Sequence, residues 1–524
     1  MNRKEFLGKS LSAGILPVML GGFSVKTFSD SPLVAFLNKA GNEDRVLVLI
    51  QLNGGNDGLN TVIPLDQYSK LMAARQNIAI PETKVLSLTG TSATGLHPAL
   101  AEMRNLYNNG KVSIIQSVGY PNPDYSHFRS TDIWLSASDS NVNENTGWMG
   151  RFLDKKYPSY PTGYPNSNYP DPPAIQIGPM VSPAFQGNAV SLGMSITDPT
   201  TFYQFVNGTV DTAPATPAGH ELTFVRLVAQ QTQQYAGSIK AAAIAATNKS
   251  TLYPTAGSNT LADQLKIVAQ LIAGGLKTRV YMVNLGGFDN HSAQVVSGAT
   301  ELGTHAGLLQ KISVAVNAFQ NDLELLGIDN RVLGMTFSEF GRRIKSNDSL
   351  GTDHGAAAPL FIFGKKVNGG VYGANPFIPT TAGNNDNVPM AFDFRAVYAT
   401  LLKDWFEVSD TDLTAVLFKQ FNRVPFIQTA TGVKETMGAG SGVLDNYPNP
   451  ANTQTTIRFT CNGERVCIKL FDNTGKELME ILNNVYPCGT HELELNTESF
   501  KTGMYYYQLQ SGNIHKTNTL LISR

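Results

Sequence analysis

A chain of 524 residues is too long for one small core, so two or more domains are expected. Charged residues make up only 15% against the usual quarter or so, and the net charge of -1 gives no electrostatic footprint for nucleic acid or an anionic membrane. No run approaches the roughly 18 apolar residues that a transmembrane helix needs, and low charge with many Gly, Asn, Ser, Thr and Tyr is the composition of an exported protein.

The N-terminus adds to that expectation. Residues 2–7 are short and basic and residues 11–23 small and apolar, the layout of a secretory leader over residues 1–30. Arg3-Lys4-Glu5-Phe6-Leu7 resembles a twin-arginine signal with Lys in place of the second Arg, so the leader is of Sec or twin-arginine type. All three cysteines (Cys461, Cys467, Cys488) lie in the last quarter, which denies the main domain a Cys nucleophile or thiolate metal site and leaves room for one disulfide in the tail.

Taken in order, Val46–Leu52 (VLVLIQL) is a continuous apolar run that reads as a central strand. It ends in Asn53-Gly-Gly-Asn-Asp57-Gly58, a glycine-rich turn that puts Asp57 at the strand's carboxyl end. Residues 98–108 read as a helix and 112–118 as a second buried strand. The loop that follows leads through Ser126, His127 and Arg129 into a helix. A hydroxyl at the positive end of a helix, with His and Arg beside it, is set for an anion or an alkoxide nucleophile.

Residues 157–173 are rich in Pro, Tyr and Asn and read as a long ordered surface loop. A Thr/Ala/Pro stretch at 209–219 precedes two segments of helical period, 222–246 and 261–276. Residues 279–285 form a third buried strand that runs into Gly286-Gly-Phe-Asp289-Asn-His291, where a carboxylate and an imidazole two residues apart can face one ion. A long helix follows at 304–326, with His305 as an ordinary helix-start residue.

Val332–Phe337 and Ala358–Phe363 are short apolar runs expected as strands of a parallel sheet. Ser338, Glu339, Arg342 and Arg343 follow the first, and Asp353, His354 and Gly355 precede the second. In an open α/β sheet, ligands bind beyond the carboxyl ends of the strands. A helix at 391–406 closes the main domain, expected over 41–430. Alternating strands and helices predict a doubly wound, mostly parallel α/β sheet. From about residue 440 to 524 short alternating strands, with a turn at Asp472 to Lys476, predict a small β-sandwich.

Six motifs in this order, NGGNDG, YSHFRSTDIW, GWMGRFLD, GGFDNH, SEFGRR and GTDHG, resemble the bacterial domain-of-unknown-function family 1501 over residues 41–425. That family is similar to the alkaline phosphatase and sulfatase superfamily, which attacks phosphate or sulfate esters at a one- or two-metal site on strand tips. The resemblance implies an alkaline-phosphatase-like core in which Asp57, Asp289, His291, Glu339, Asp353 and His354 hold one or two ions (zinc, manganese or calcium). It also implies Ser126 as nucleophile and Arg129 and Arg342 as partners of the ester's anionic oxygens.

This chain departs from the superfamily in two places. Glu339-Phe340 stands where the superfamily has Asp-His, and the Cys-x-Pro-x-Arg motif of formylglycine sulfatases is absent.

The tail, from YPNPA through GMYYYQL, resembles the C-terminal sorting domain of the type IX secretion system of Bacteroidetes. It implies export to the cell surface by that machinery. The expected activity is a secreted metal-dependent hydrolase of phosphate or sulfate esters, acting on an anionic ester or glycan. The alternative is a non-catalytic surface protein that binds polysaccharide or protein through the Tyr-rich loop.

Overall fold

The computed structural model describes residues 44–199, 235–428 and 444–523, with breaks at 462–464, 473–474, 487–488 and 512–513. The leader, the 209–219 stretch, the first half of the expected 222–246 helix and Cys488 lie outside the described residues. The chain divides into two compact units, one through Thr429 and one from Ala430.

In the first unit, β1 is Val46–Leu52 and buried at every position. Its side chains alternate between two cores. Val46, Val48, Ile50 and Leu52 enter one, while Leu47 and Leu49 enter the other. A strand covered on both faces needs this unbroken apolar run. Burying its six aliphatic side chains contributes on the order of 10 kcal/mol.

The elements that build the main sheet and its two covering layers follow in chain order. They are α1 (Ala101–Asn108), β2 (Val112–Gly119), α2 (His127–Ser136), α3 (Trp148–Lys156), β3 (Ala174–Ile177), β4 (Gly193–Ile196) and α4 (Thr260–Ala273). Then come β5 (Val280–Leu285), α5 (Thr304–Leu325), β6 (Val332–Phe337), β7 (Ala358–Phe363), β8 (Gly370–Tyr372), β9 (Phe392–Asp393) and α6 (Phe394–Thr400). The sheet order is β8-β2-β7-β6-β1-β5-β3-β4, with β9 also pairing β2. Residues of α1, α4 and α5 pack on one face and residues of α2, α3 and α6 on the other. The fold is therefore an α/β sheet wound on both sides.

One expectation needs correction. β7 was expected to be parallel, but it runs antiparallel to both β2 and β6, whereas β1 is parallel to β5 and β6. Reversal puts the start of β7, not its end, at the edge where β1, β2, β5 and β6 finish. Residues just before β7 thus meet residues just after the other four strands.

The second unit holds two antiparallel sheets. One contains Leu444–Tyr447, Gln454–Cys461 and Gly489–Asn496, and the other Glu477–Val485, Arg465–Phe471, Gly503–Ser511 and Ile514–Ile522. Alternate residues such as Val466, Ile468 and Leu470 meet Ile457, Phe459, Tyr507 and Leu509 in one core. This is the expected small β-sandwich, held by period-two burial.

Candidate metal centre at the strand tips

The turn after β1 presses closely on its neighbours. Gly54 (φ 122) and Gly55 (φ 79) hold left-handed backbone, and a Cβ on either would overlap the Asp289 amide or the Phe340 ring. Only glycine fits there. This close approach lets the tips of β1, β5 and β6 share one small volume.

Asp289 and His291 arrive from the tip of β5, Glu339 from β6, and Asp353 and His354 from the loop entering β7. The sixth residue is His127, the first of α2. His291 Nε2 is 3.1 Å and His354 Nε2 3.3 Å from Asp289 Oδ1. His127 Nε2 is 3.5 Å from Asp289 Oδ2. The Nε2 atoms of His291 and His354 are 2.9 Å apart. His127, Asp289 and His354 place their ligand atoms within 4.8 Å of one another.

The opposite ring nitrogens are all engaged. His127 Nδ1 is 2.7 Å from Glu339 Oε1, His291 Nδ1 is 3.3 Å from Asp353 Oδ1, and His354 Nδ1 is 2.7 Å from the Tyr125 carbonyl oxygen. A carbonyl only accepts, so His354 Nδ1 carries a proton. Asp353 loses less to burial than it gains from Asn347, His291 and Arg343, which hold its pKa below the usual carboxylate range. As a carboxylate it too can only accept, so His291 Nδ1 also carries a proton. Two neutral imidazoles would then aim bare lone pairs at each other across 2.9 Å, which requires a positive charge between them.

A divalent ion meets that requirement. Tetrahedral ligation with bonds of about 2.0–2.1 Å separates the donors by about 3.3 Å. The four separations above run from 2.9 to 3.5 Å, two of them to Oδ1 and one to Oδ2 of Asp289. The three residues that converge within 4.8 Å are His127, Asp289 and His354, with His291 beside them. His127 Nε2 is buried and makes no hydrogen bond. Burial raises the pKa of Asp289, but the hydrogen bond and charge of Arg342, together with the neighbouring histidines, outweigh it and bring it to about 2. Asp289 is therefore ionised and its side chain about half exposed. The residues present fit a cation.

Several expected site residues lie elsewhere. Asp57 is only 2% exposed, and Arg75 Nη1 donates to both its oxygens at 2.9 and 2.8 Å while Gln294 Nε2 donates to Oδ2 at 2.7 Å. Its oxygens already face a buried guanidinium, so Asp57 stands apart from the cluster. Sequence reading missed Arg75, whose Nε also donates to the Ile344 carbonyl.

Arg342 is buried and donates to the carbonyls of Gly54, Gly55, Phe288 and Thr352, with Asp289 its one carboxylate partner at 2.8 Å. It braces three tips and does not face an incoming ester. Arg129 turns away to the carbonyls of Asp139, Ser140 and Val142. Ser126 is exposed at the start of α2 beside His127, and its side chain does not cap the helix. Glu339 and Asp353 stand behind the histidines.

Phe340 lays its ring 4.9 Å from His127 and 4.6 Å from His354. In the loop offered as an alternative binding surface, the Tyr157 ring is buried, and the rings of Tyr157, Tyr164 and Tyr169 pack 4.8–5.9 Å from one another. The three rings pack against one another at tilted angles.

Comparisons agree with the two-part architecture. Residues 204–417 match the family described as "Protein of unknown function (DUF1501)", and residues 445–523 match "Secretion system C-terminal sorting domain". No curated protein matches. Among solved structures, the chain is similar to PorZ of the type IX secretion system of Porphyromonas gingivalis at 20% identity. That match covers 19% of this chain, spans 14% of PorZ and has a TM-score of 0.14.

It is also similar to a protein in the alkaline phosphatase superfamily from Vibrio parahaemolyticus (9% identity, 90% of this chain and 82% of that one, TM-score 0.31). The PsFucS1 sulfatase from Pseudoalteromonas sp. matches at 11% identity over 88% of this chain and 86% of its own, with a TM-score of 0.32. No helix among the described residues is long and apolar enough to cross a membrane. The region similar to the DUF1501 model holds Asp289, His291 and His354, and the region that matches the secretion-system sorting domain marks the chain for secretion and the cell surface.

Proposed function

We propose that the protein is a metal-dependent hydrolase of phosphate or sulfate esters, with one divalent ion held by His127, Asp289, His291 and His354. The observation that carries this reading is the 2.9 Å approach of two imidazole Nε2 atoms whose Nδ1 atoms are both committed as donors. Three nitrogens and one carboxylate oxygen favour zinc over calcium, which prefers six or more oxygens. When bound, such an ion supplies charge to polarise an anionic ester and lowers the cost of forming an oxyanion nucleophile.

The protein's own groups supply the rest. Asp289 and His291 are the more exposed members and mark the open side of the cluster. Ser126 places a hydroxyl at the amino end of α2, where free backbone N–H groups and the helix dipole favour negative charge. Since Arg129 and Arg342 are spent on backbone carbonyls, neutralising the ester's charge falls to the ion and to this helix end. Phe340 shields the inner side of the imidazoles. An anionic ester, including a sulfated or phosphorylated glycan, fits this division of charge.

The test is elemental analysis followed by aryl phosphate and aryl sulfate hydrolysis with the full chain. About one equivalent of metal with turnover that chelation removes is expected. A metal-loaded protein without turnover on either ester class contradicts the hydrolase, and one that binds no metal contradicts the centre itself.

A further inference from the structure

We infer that Glu339 and Asp353 are positioning residues: each accepts a hydrogen bond from the Nδ1–H of a histidine and so directs the Nε2 lone pairs of His127 and His291 at the point where Asp289 and His354 converge. The inference deepens the proposed metal centre and rests on it for its purpose, although the proton positions exist without an ion.

Glu339 has no lone pair to spare where it meets the cluster. Its Oε1 accepts the Gly54 N–H at 2.8 Å and faces His127 Nδ1 at 2.7 Å, which uses both lone pairs of that oxygen. Its Oε2 lies 3.2 Å from Ser338 Oγ, itself 2.7 Å from the Leu52 carbonyl and within reach of the Asn56 N–H. One buried carboxylate thereby ties the tip of β1, the tip of β6 and the first turn of α2 together. Asp353 repeats the arrangement nearer the surface. Its Oδ1 is 3.3 Å from His291 Nδ1 and accepts from Asn347 Nδ2 at 3.2 Å. The Tyr125 carbonyl does the same for His354.

A carboxylate on the far nitrogen fixes the tautomer, locks the ring and raises the basicity of the ligating nitrogen. Loss of such a partner lowers metal affinity by about 10–100-fold. The two carboxylates differ in depth: the Glu339 side chain is 3% exposed and that of Asp353 50% exposed. Water screens Asp353, so its effect is the smaller one.

The experiment uses the full chain and two readouts, neither of which is activity. Cobalt is titrated into wild type, Glu339→Gln and Asp353→Asn while the visible d–d bands are recorded. The His127 tautomer is read from imidazole nitrogen NMR shifts of the metal-free protein. Gln retains an acceptor towards His127 and a donor towards Ser338, so the fold is expected to survive.

Expected are a 10–100-fold weaker affinity for Glu339→Gln, a smaller loss for Asp353→Asn, cobalt bands unchanged in position and intensity at saturation, and the His127 proton on Nδ1. Should Glu339→Gln misfold, the Asp353→Asn titration reads the same relationship at its smaller amplitude. An unaltered affinity in both variants overturns the inference. Cobalt bands that report a lost ligand overturn it too, by making the carboxylate a ligand. So does a His127 proton found on Nε2. A wild type that binds no cobalt overturns the metal reading alone, because the tautomer measurement still decides the positioning.

Discussion

His127 and Glu339 are 212 residues apart in the chain, yet their side chains meet at 2.7 Å, Nδ1 to Oε1. The contact joins the first turn of α2 to the tip of β6 and turns His127 Nε2 towards Asp289. Removing His127 takes away a donor atom and not only its support, so His127→Ala should cost more than the 10–100-fold typical of an outer partner. Metal dissociation constants for His127→Ala and His127→Gln check this, and a loss below about 10-fold would place His127 outside the coordination set.

Asp57 and Arg75 make a separate prediction. Breaking a buried pair by removing one partner leaves an uncompensated charge, at about 3–5 kcal/mol. Arg75→Met should lower unfolding free energy in urea by that order while leaving metal stoichiometry unchanged. If the variant keeps wild-type stability but loses an equivalent of metal, Asp57 is a ligand after all.

Acid should weaken the fold through two buried histidines beneath the centre. His305 is held at about 4, chiefly by burial, with Asp57 opposing and Arg342 and Arg75 reinforcing. His97 is held at about 3 by burial, reinforced by His305 and opposed by Asp57. Both lie below the ordinary 6.5. The stability they permit is therefore fully present above that value and lost as pH falls through 6.5 towards 4, where the unfolded chain takes up protons that the folded one refuses. For His305 the loss is about 3 kcal/mol. Unfolding free energies at pH 7, 6, 5 and 4.5 should show this decline, with a shallower slope in His305→Gln; identical slopes would contradict the assignment.

Ser126 and Arg129, three residues apart, should separate cleanly. If the Ser126 hydroxyl is the nucleophile, Ser126→Ala loses about 1,000-fold or more in kcat. Arg129→Gln should leave kcat within about 3-fold and instead loosen the 139–142 loop, because its guanidinium holds carbonyls there. A Ser126→Ala variant that keeps wild-type kcat would assign the attack to water.

Much of this arrangement could be read from the sequence. Apolar runs of six or seven residues mark β1, β5 and β6, and GGFDNH and GTDHG mark the loops that supply Asp289, His291 and His354. Other features leave no local trace. The direction of β7 depends on which neighbours it pairs with, and a six-residue apolar run reads the same either way. Arg75 carries no motif; its burial against Asp57 is set by packing 18 residues on. His127 was visible in YSHFRS, after a strand with its carboxyl end on the same edge as the cluster, but at a helix start it resembled an anion-site neighbour more than a ligand. Arg342 and Arg129 misled for a related reason. A guanidinium near a site can serve backbone carbonyls as well as a substrate anion, and only geometry separates the two.

The measurement closest to the central claim is metal content of the full-length protein, purified without chelator, for wild type beside a His291→Ala, His354→Ala double variant. The account predicts about one equivalent of zinc or a similar divalent ion in the wild type and none in the variant, with both folded by circular dichroism. No metal in the wild type after incubation with zinc, manganese and calcium would contradict it, and the 2.9 Å imidazole pair would then hold a proton.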